Sequence, residues 1–103
     1  MGYLNYKLSI QIGPDRLIKE LRKENKNAIY AINDDGYTNE SCKWHEHEKE
    51  LKIFSQKHPK ALFKLEGNGE ETGDIWIKYF QNGKCQVCKA KITFDEFNYN
   101  KFI

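Results

Sequence analysis

The chain has 103 residues, with 17 Lys or Arg against 15 Asp or Glu, 39% hydrophobic residues and 14% aromatic ones. That length holds a single domain, residues 1–103, excludes two full-sized domains, and supports a core without disulfides or a metal. A net charge of +2 is too small to imply a polyanion partner, and this content of aliphatic and aromatic residues excludes an intrinsically disordered chain. No apolar run approaches the ~18 residues of a membrane span. Met1-Gly2-Tyr3-Leu4-Asn5-Tyr6 carries neither a signal-peptide pattern nor the Ser or Thr of a myristoylation site, so a cytoplasmic protein is expected.

Tyr3 to Ile12 alternates, with Leu4, Tyr6, Leu8, Ile10 and Ile12 on one side and Tyr3, Asn5, Lys7, Ser9 and Gln11 on the other. This predicts a half-buried strand. Gly13-Pro14-Asp15 breaks it, and proline and aspartate suit the first turn of a helix from about Pro14 to Asn25. Its apolar stripe is Leu17, Ile18 and Leu21; Arg16, Lys19, Arg22, Lys23 and Lys26 form a solvated basic side. Ala28 to Ile32 reads as a short strand closed by the turn cluster Asn33-Asp34-Asp35-Gly36. Tyr37 to Lys43 reads as a strand or extended loop. Trp44, His47, Leu51, Phe54 and His58 recur at helical spacing, which predicts a second helix from about Trp44 to Lys57, stopped by Pro59.

Ala61 to Glu66 is a predicted strand, Gly67 to Gly73 an acidic flexible loop, Asp74 to Phe80 a further strand, and Lys84 to Phe94 its hairpin partner. Asn82-Gly83 is a strong two-residue hairpin signal, because both central residues of a type I′ turn need positive φ. A two-residue loop opposes Ile75 to Ala90, Ile77 to Cys88 and Tyr79 to Gln86 on one face, extended by Ile92 and Phe94. That face is the expected core side. The other carries Asp74 with Lys91, Trp76 with Lys89, Lys78 with Val87 and Phe80 with Cys85, and is expected to be outward. These elements predict an α+β two-layer sandwich: a mostly antiparallel sheet with two helices on one face, ferredoxin-like, ending in a C-terminal hairpin. Tyr6, Phe54, Phe63, Tyr79 and Phe94 are the expected core aromatics. The tail Asp95 to Ile103, with Phe97, Tyr99 and Phe102, is expected to pack across the domain or to dock a partner.

Cys85-Gln86-Val87-Cys88 has the spacing of zinc ligands and thiol redox sites, with Cys42, His45 and His47 as further donors. Strand geometry argues against both uses, since side chains three apart point to opposite faces, Cys88 inward and Cys85 outward. No helix N-terminus follows to lower a thiol pKa. His45 and His47 diverge on a helix, so capping or core-edge roles are expected for the histidines. No metal, no cofactor and no catalytic residue is expected. Glu66, Glu70, Glu71 and Asp74 gather four carboxylates in one glycine-rich stretch that suits a solvated loop or a contact with a basic partner. Trp76, Lys78, Phe80, Lys89 and Lys91 interleave aromatics and cations, as protein interfaces and single-stranded nucleic-acid surfaces do. The RNP1 pattern of RNA-recognition domains is absent.

Trp44-His45-Glu46-His47-Glu48-Lys49-Glu50-Leu51, then Leu62-Phe63, Glu70-Glu71, Asp74-Ile75-Trp76, Tyr79-Phe80, Asn82-Gly83-Lys84 and Phe94-Asp95 resemble small proteins carried by bacteriophages and other mobile elements, over about residues 40–103. The resemblance implies a ferredoxin-like domain acting in the cytoplasm of a bacterial host cell. It also implies a non-enzymatic inhibitor of a host defence complex, of the anti-CRISPR type, working by surface occlusion. On that expectation the partner-binding residues are Glu66, Glu70, Glu71, Asp74, Trp76, Lys78, Phe80, Lys89 and Lys91. The partner is a host protein complex such as a CRISPR effector, with single-stranded nucleic acid as the alternative and a homodimer as a further use of the same surface.

Overall fold

Alternation does build the first strand, and the elements run β1 (Leu4–Ile12), α1 (Arg16–Glu24), α2 (Lys26–Ala31), α3 (His47–Lys57), β2 (Leu62–Gly69), β3 (Ile75–Gln81), β4 (Lys84–Lys89) and a 3-10 turn at Tyr99–Lys101. The computed structural model describes residues 4–40, 42–69, 75–90 and 96–102. The sheet is four-stranded, antiparallel throughout, in the order β1-β2-β3-β4. Among the described residues, all three α-helices lie in the one long connection between β1 and β2. A split β-α-β order would interleave the strands; here neighbours in the sheet are neighbours in sequence.

Both long helices follow the expected stripes: Leu17, Ile18 and Leu21 of α1 and Leu51 and Phe54 of α3 are buried. The middle element differs. Ala28 to Ile32 is expected as a strand, whereas Lys26–Ala31 is helical. Asn25 is both stop and start: its backbone N–H bonds to the Leu21 carbonyl at 2.9 Å, and its side-chain oxygen accepts from the N–H groups of Asn27 and Ala28 at 2.9 and 3.0 Å. Such a cap stabilises a helix start by about 1 kcal/mol. Ala28 and Ala31, one turn apart, are completely buried, so the small residues let this short helix pack where β-branched neighbours favoured a strand.

One core joins the helices to one sheet face. It contains Tyr6 and Leu8 of β1, Phe63 and Leu65 of β2 and Phe80 of β3, against Leu17, Leu21, Ala31, Trp44, Leu51 and Phe54. Ile12, expected inward, is 56% exposed, because the register slips between Ile10 and Ile12 and turns the strand end away. Residues 36–40 and Cys42 cover the outer edge of β1. Thr38 Oγ1 accepts from the Tyr6 N–H at 2.7 Å and donates to its carbonyl at 2.9 Å, and Leu8 N–H donates to the Gly36 carbonyl at 2.7 Å. This protects an edge that would otherwise invite pairing. Among the described residues β4 has one strand neighbour, β3.

Candidate functional site

The β3–β4 hairpin has the register that Asn82-Gly83 predicts, and Trp76 opposes Lys89, Ile77 Cys88, Lys78 Val87, Tyr79 Gln86 and Phe80 Cys85. Asn82 and Gly83 have φ of 49° and 79°, as a primed turn requires. The faces, however, are exchanged relative to expectation. β2 decides this: Phe63 opposes Phe80, Leu65 opposes Lys78 and Gly67 opposes Trp76. Residues directly opposite share a face, and Phe63 and Leu65 are fully buried.

Trp76, Lys78 and Phe80, expected on an outward binding face, therefore lie on the helix-covered side. Phe80 is fully buried, and Trp76 packs against the core. Lys89 shares that side but is exposed at the end of β4. Glu66 is on the open face, opposite Lys7 and Ile77. Glu70, Glu71, Asp74 and Lys91 lie outside the described residues, as do Ile92 and Phe94. The cysteines exchange with the hairpin: Cys85 packs against the core, while Cys88 is on the open side. Tyr79, expected in the core, is half-buried on the open face.

Lys78 is the inward residue that obscured this pattern. A polar cluster at the start of α3 accommodates its ammonium, which lies 2.6 Å from His47 Nε2, 3.5 Å from Glu48 Oε2 and 4.4 Å from the Trp76 ring centroid. His47 Nδ1 is 2.7 Å from the Trp44 carbonyl. A carbonyl only accepts, so Nδ1 carries the hydrogen and Nε2 offers its lone pair to the ammonium. Burial, and then the Lys78 charge, hold the His47 pKa below its ordinary value, against the opposing pull of the Trp44 carbonyl, Glu48 and Glu50.

At this cluster, a cleft of about 290 Å³ is lined by Leu4, Tyr6, Lys43, Trp44, His45, His47 and Trp76. Tyr6 Oη accepts the Trp44 N–H at 3.0 Å, and burial raises the Tyr6 phenol pKa. Glu50 accepts from Trp44 Nε1 at 3.0 Å and Asn27 Nδ2 at 2.9 Å, and from the Asn25 side chain. The Trp76 indole lies against Gly67, with His47 stacked on it. Its ring is thereby committed to packing and is a poor platform for a nucleobase. Burial and the Glu48 charge raise the Cys85 thiol, the opposite of what a nucleophile needs. This constellation is suited to clamping α3 onto the sheet.

The three histidines do not gather at one point: His45 is exposed at the rim of the cleft that His47 also lines, and His58 packs on Phe54 and lies 3.6 Å from Glu20. Among the described residues no three His, Cys, Asp or Glu side chains gather as metal donors, and no helix is long and apolar enough to cross a membrane.

The open face is the surface that sequence reasoning missed. Leu62, Ile77, Tyr79 and Cys88 are half-buried there and Ile75 is 48% exposed. Lys7, Lys64 and Lys84 flank them, with Glu66 beside Lys7. Lys64 stands directly opposite Tyr79, and the Lys7 ammonium lies 5.2 Å over the exposed Tyr37 ring. The usable signal was the alternation Phe63-Lys64-Leu65-Glu66: its charged positions mark the wet side, and β3 residues opposite them must share it. Comparison with protein-family models, curated proteins and solved structures finds no match to this chain.

Proposed function

We propose that the chain is a non-enzymatic binding protein that occludes a functional surface of a macromolecular partner, using its open sheet face. One observation carries this reading: Leu62, Ile75, Ile77 and Tyr79 form an apolar stripe on a face that no described helix covers. Apolar and aromatic groups at the centre, with lysines at the rim, are the composition of a protein interface. Glu66, directly opposite Ile77, adds a carboxylate to the same face; Glu70, Glu71 and Asp74 lie outside the described residues. Lys89, at the end of the hairpin, would act at the margin.

The finer reading is an inhibitor of a host defence complex, such as a CRISPR effector, in a bacterial cytoplasm. Its support is the resemblance of residues 40–103 to phage-borne proteins; the ferredoxin likeness would lie in helices packed on one face of an antiparallel sheet, not in the strand order. The test is capture of partners from a phage-infected host by the wild-type chain and by Ile77→Lys. A defence protein recovered by the first and lost by the second supports the reading. No recovery, with unaltered phage plating on CRISPR-proficient cells, removes it.

The pairing of Lys64 with Tyr79, near Lys84, favours single-stranded nucleic acid as a second reading. A base stacked on Tyr79 and phosphates on the lysines would give salt-dependent binding, with Tyr79→Ala costing about 1–3 kcal/mol. A mobility shift absent at low salt removes it.

A further inference from the structure

The C-terminal segment does not pack across the domain as expected. Phe97, Tyr99 and Phe102 are 71%, 79% and 70% exposed, and their recorded aromatic neighbours are one another, with ring centroids 4.8 to 6.2 Å apart. The segment is nevertheless organised. Asn98 accepts the Asn100 N–H on its side chain at 2.9 Å and the Lys101 N–H on its carbonyl at 3.0 Å. The result is a preformed three-ring knob, whose docking loses little conformational entropy. Exposed aromatic clusters of this kind mark interaction sites.

Resting on the reading of the open face as a binding surface, we infer that its first occupant is the three-ring knob of a second copy of this chain, exchanged reciprocally about a two-fold axis beside β4. The knob is apolar and the stripe of Leu62, Ile75, Ile77 and Tyr79 is apolar; Lys64 and Lys84 at the rim meet ring faces and the Glu96 carboxylate. The radius of gyration is 16.4 Å, with a long axis of 56 Å, against about 13 Å for a compact chain of this length. The exposure of all three rings shows that they are not seated on the sheet of their own chain.

Reach and area both suit exchange. Residues 91–95 join the knob to the hairpin, and five residues span at most about 17 Å. Strands spaced by about 4.8 Å put β3 of a copy set alongside β4 within that reach. Residues 36–40 and Cys42 already cover the first strand's edge, so among the described residues β4 is the side where a copy fits. Each knob would bury roughly 400 Å² of ring surface. Two knobs and two seats together reach roughly 1,600 Å², the size of a stable interface, and a knob folded onto its own sheet would bury half of that.

The experiment is mass measurement by light scattering of the full chain between about 1 and 100 µM, repeated on Ile77→Lys and on the triple variant Phe97→Ser, Tyr99→Ser, Phe102→Ser. Circular dichroism checks that each remains folded. The expected result is a wild-type mass rising from 12.2 kDa to twice that, with each variant monomeric alone. A mixture of the two variants should re-form a dimer at the highest concentrations, because an intact knob then meets one intact seat. A wild-type monomer throughout, a dimer of the triple variant, or a mixture that stays monomeric overturns the exchange. A monomeric wild type that still loses its host partner on Ile77→Lys overturns the dimer alone and leaves the binding face standing.

Discussion

The imidazole of His47 is stacked on the indole of Trp76, with centroids 4.9 Å apart and planes 10° from parallel. Because His47 Nε2 faces the Lys78 ammonium at 2.6 Å, this stack is compatible with a neutral imidazole and opposed by a charged one. The His47 pKa lies below its ordinary 6.5, by burial first. The folded state then holds fewer protons than the unfolded one around that pH, so stability rises with pH there. The contribution should be complete above about pH 6.5 and decline as pH falls through the folded value. Urea midpoints at pH 7.5 and 5 should differ less for His47→Gln than for the wild type; equal differences would refute the assignment.

Gly67 is required by the same stack. A Cβ at this position would enter the Trp76 indole, and Gly67→Ala should destabilise by about 1–3 kcal/mol through overpacking. Tryptophan emission should shift with it, since Trp76 must move. An unchanged spectrum and melting temperature would show that the ring has room.

The assignment of the two faces is testable within β3, which carries both residues concerned. Phe80→Ala empties a fully buried site and should cost about 3–5 kcal/mol. Ile75→Ala, on the open face, should change stability by about 0.5 kcal/mol. Denaturant midpoints that ranked the two in the reverse order would restore the opposite assignment.

Glu50 ties three segments together, accepting from Trp44, Asn25 and Asn27. Removing the acceptor leaves the part-buried indole N–H and the Asn25 amide without it, so Glu50→Ala should cost about 1–3 kcal/mol. Glu50→Gln keeps one carbonyl oxygen and should recover part of the loss. Chemical denaturation of the three proteins measures both.

Several features were legible because they are local. Asn82-Gly83 has the backbone freedom a two-residue hairpin needs, and it set the whole β3–β4 register. Leu17, Ile18 and Leu21 lie on one helical stripe, and Pro59 stops α3 near Lys57 because the residue before a proline avoids helical ψ. Asn25 was ambiguous, since an asparagine that ends one helix can cap the next. The segment 28–32 was accordingly misread as a strand.

By itself, the sequence determined the first strand, the β3–β4 hairpin with its register and two amphipathic helices, which follow from short-range periodicity and turn chemistry. It placed a strand at 28–32, where Lys26–Ala31 is helical, and a loop from Gly67, where β2 continues to Gly69. It could not determine which side of the hairpin is covered. Both faces carry large apolar groups, Ile75, Ile77 and Tyr79 on one and Trp76, Phe80 and Val87 on the other, and Lys78 marked the wrong face as wet. Only the alignment of β2 with β3 settled it, by setting Phe63 against Phe80 and giving Lys78 a partner in His47. Burial is a property of contacts between distant segments, and those contacts leave Ile75, Ile77 and Tyr79, rather than Trp76 and Phe80, on the uncovered face.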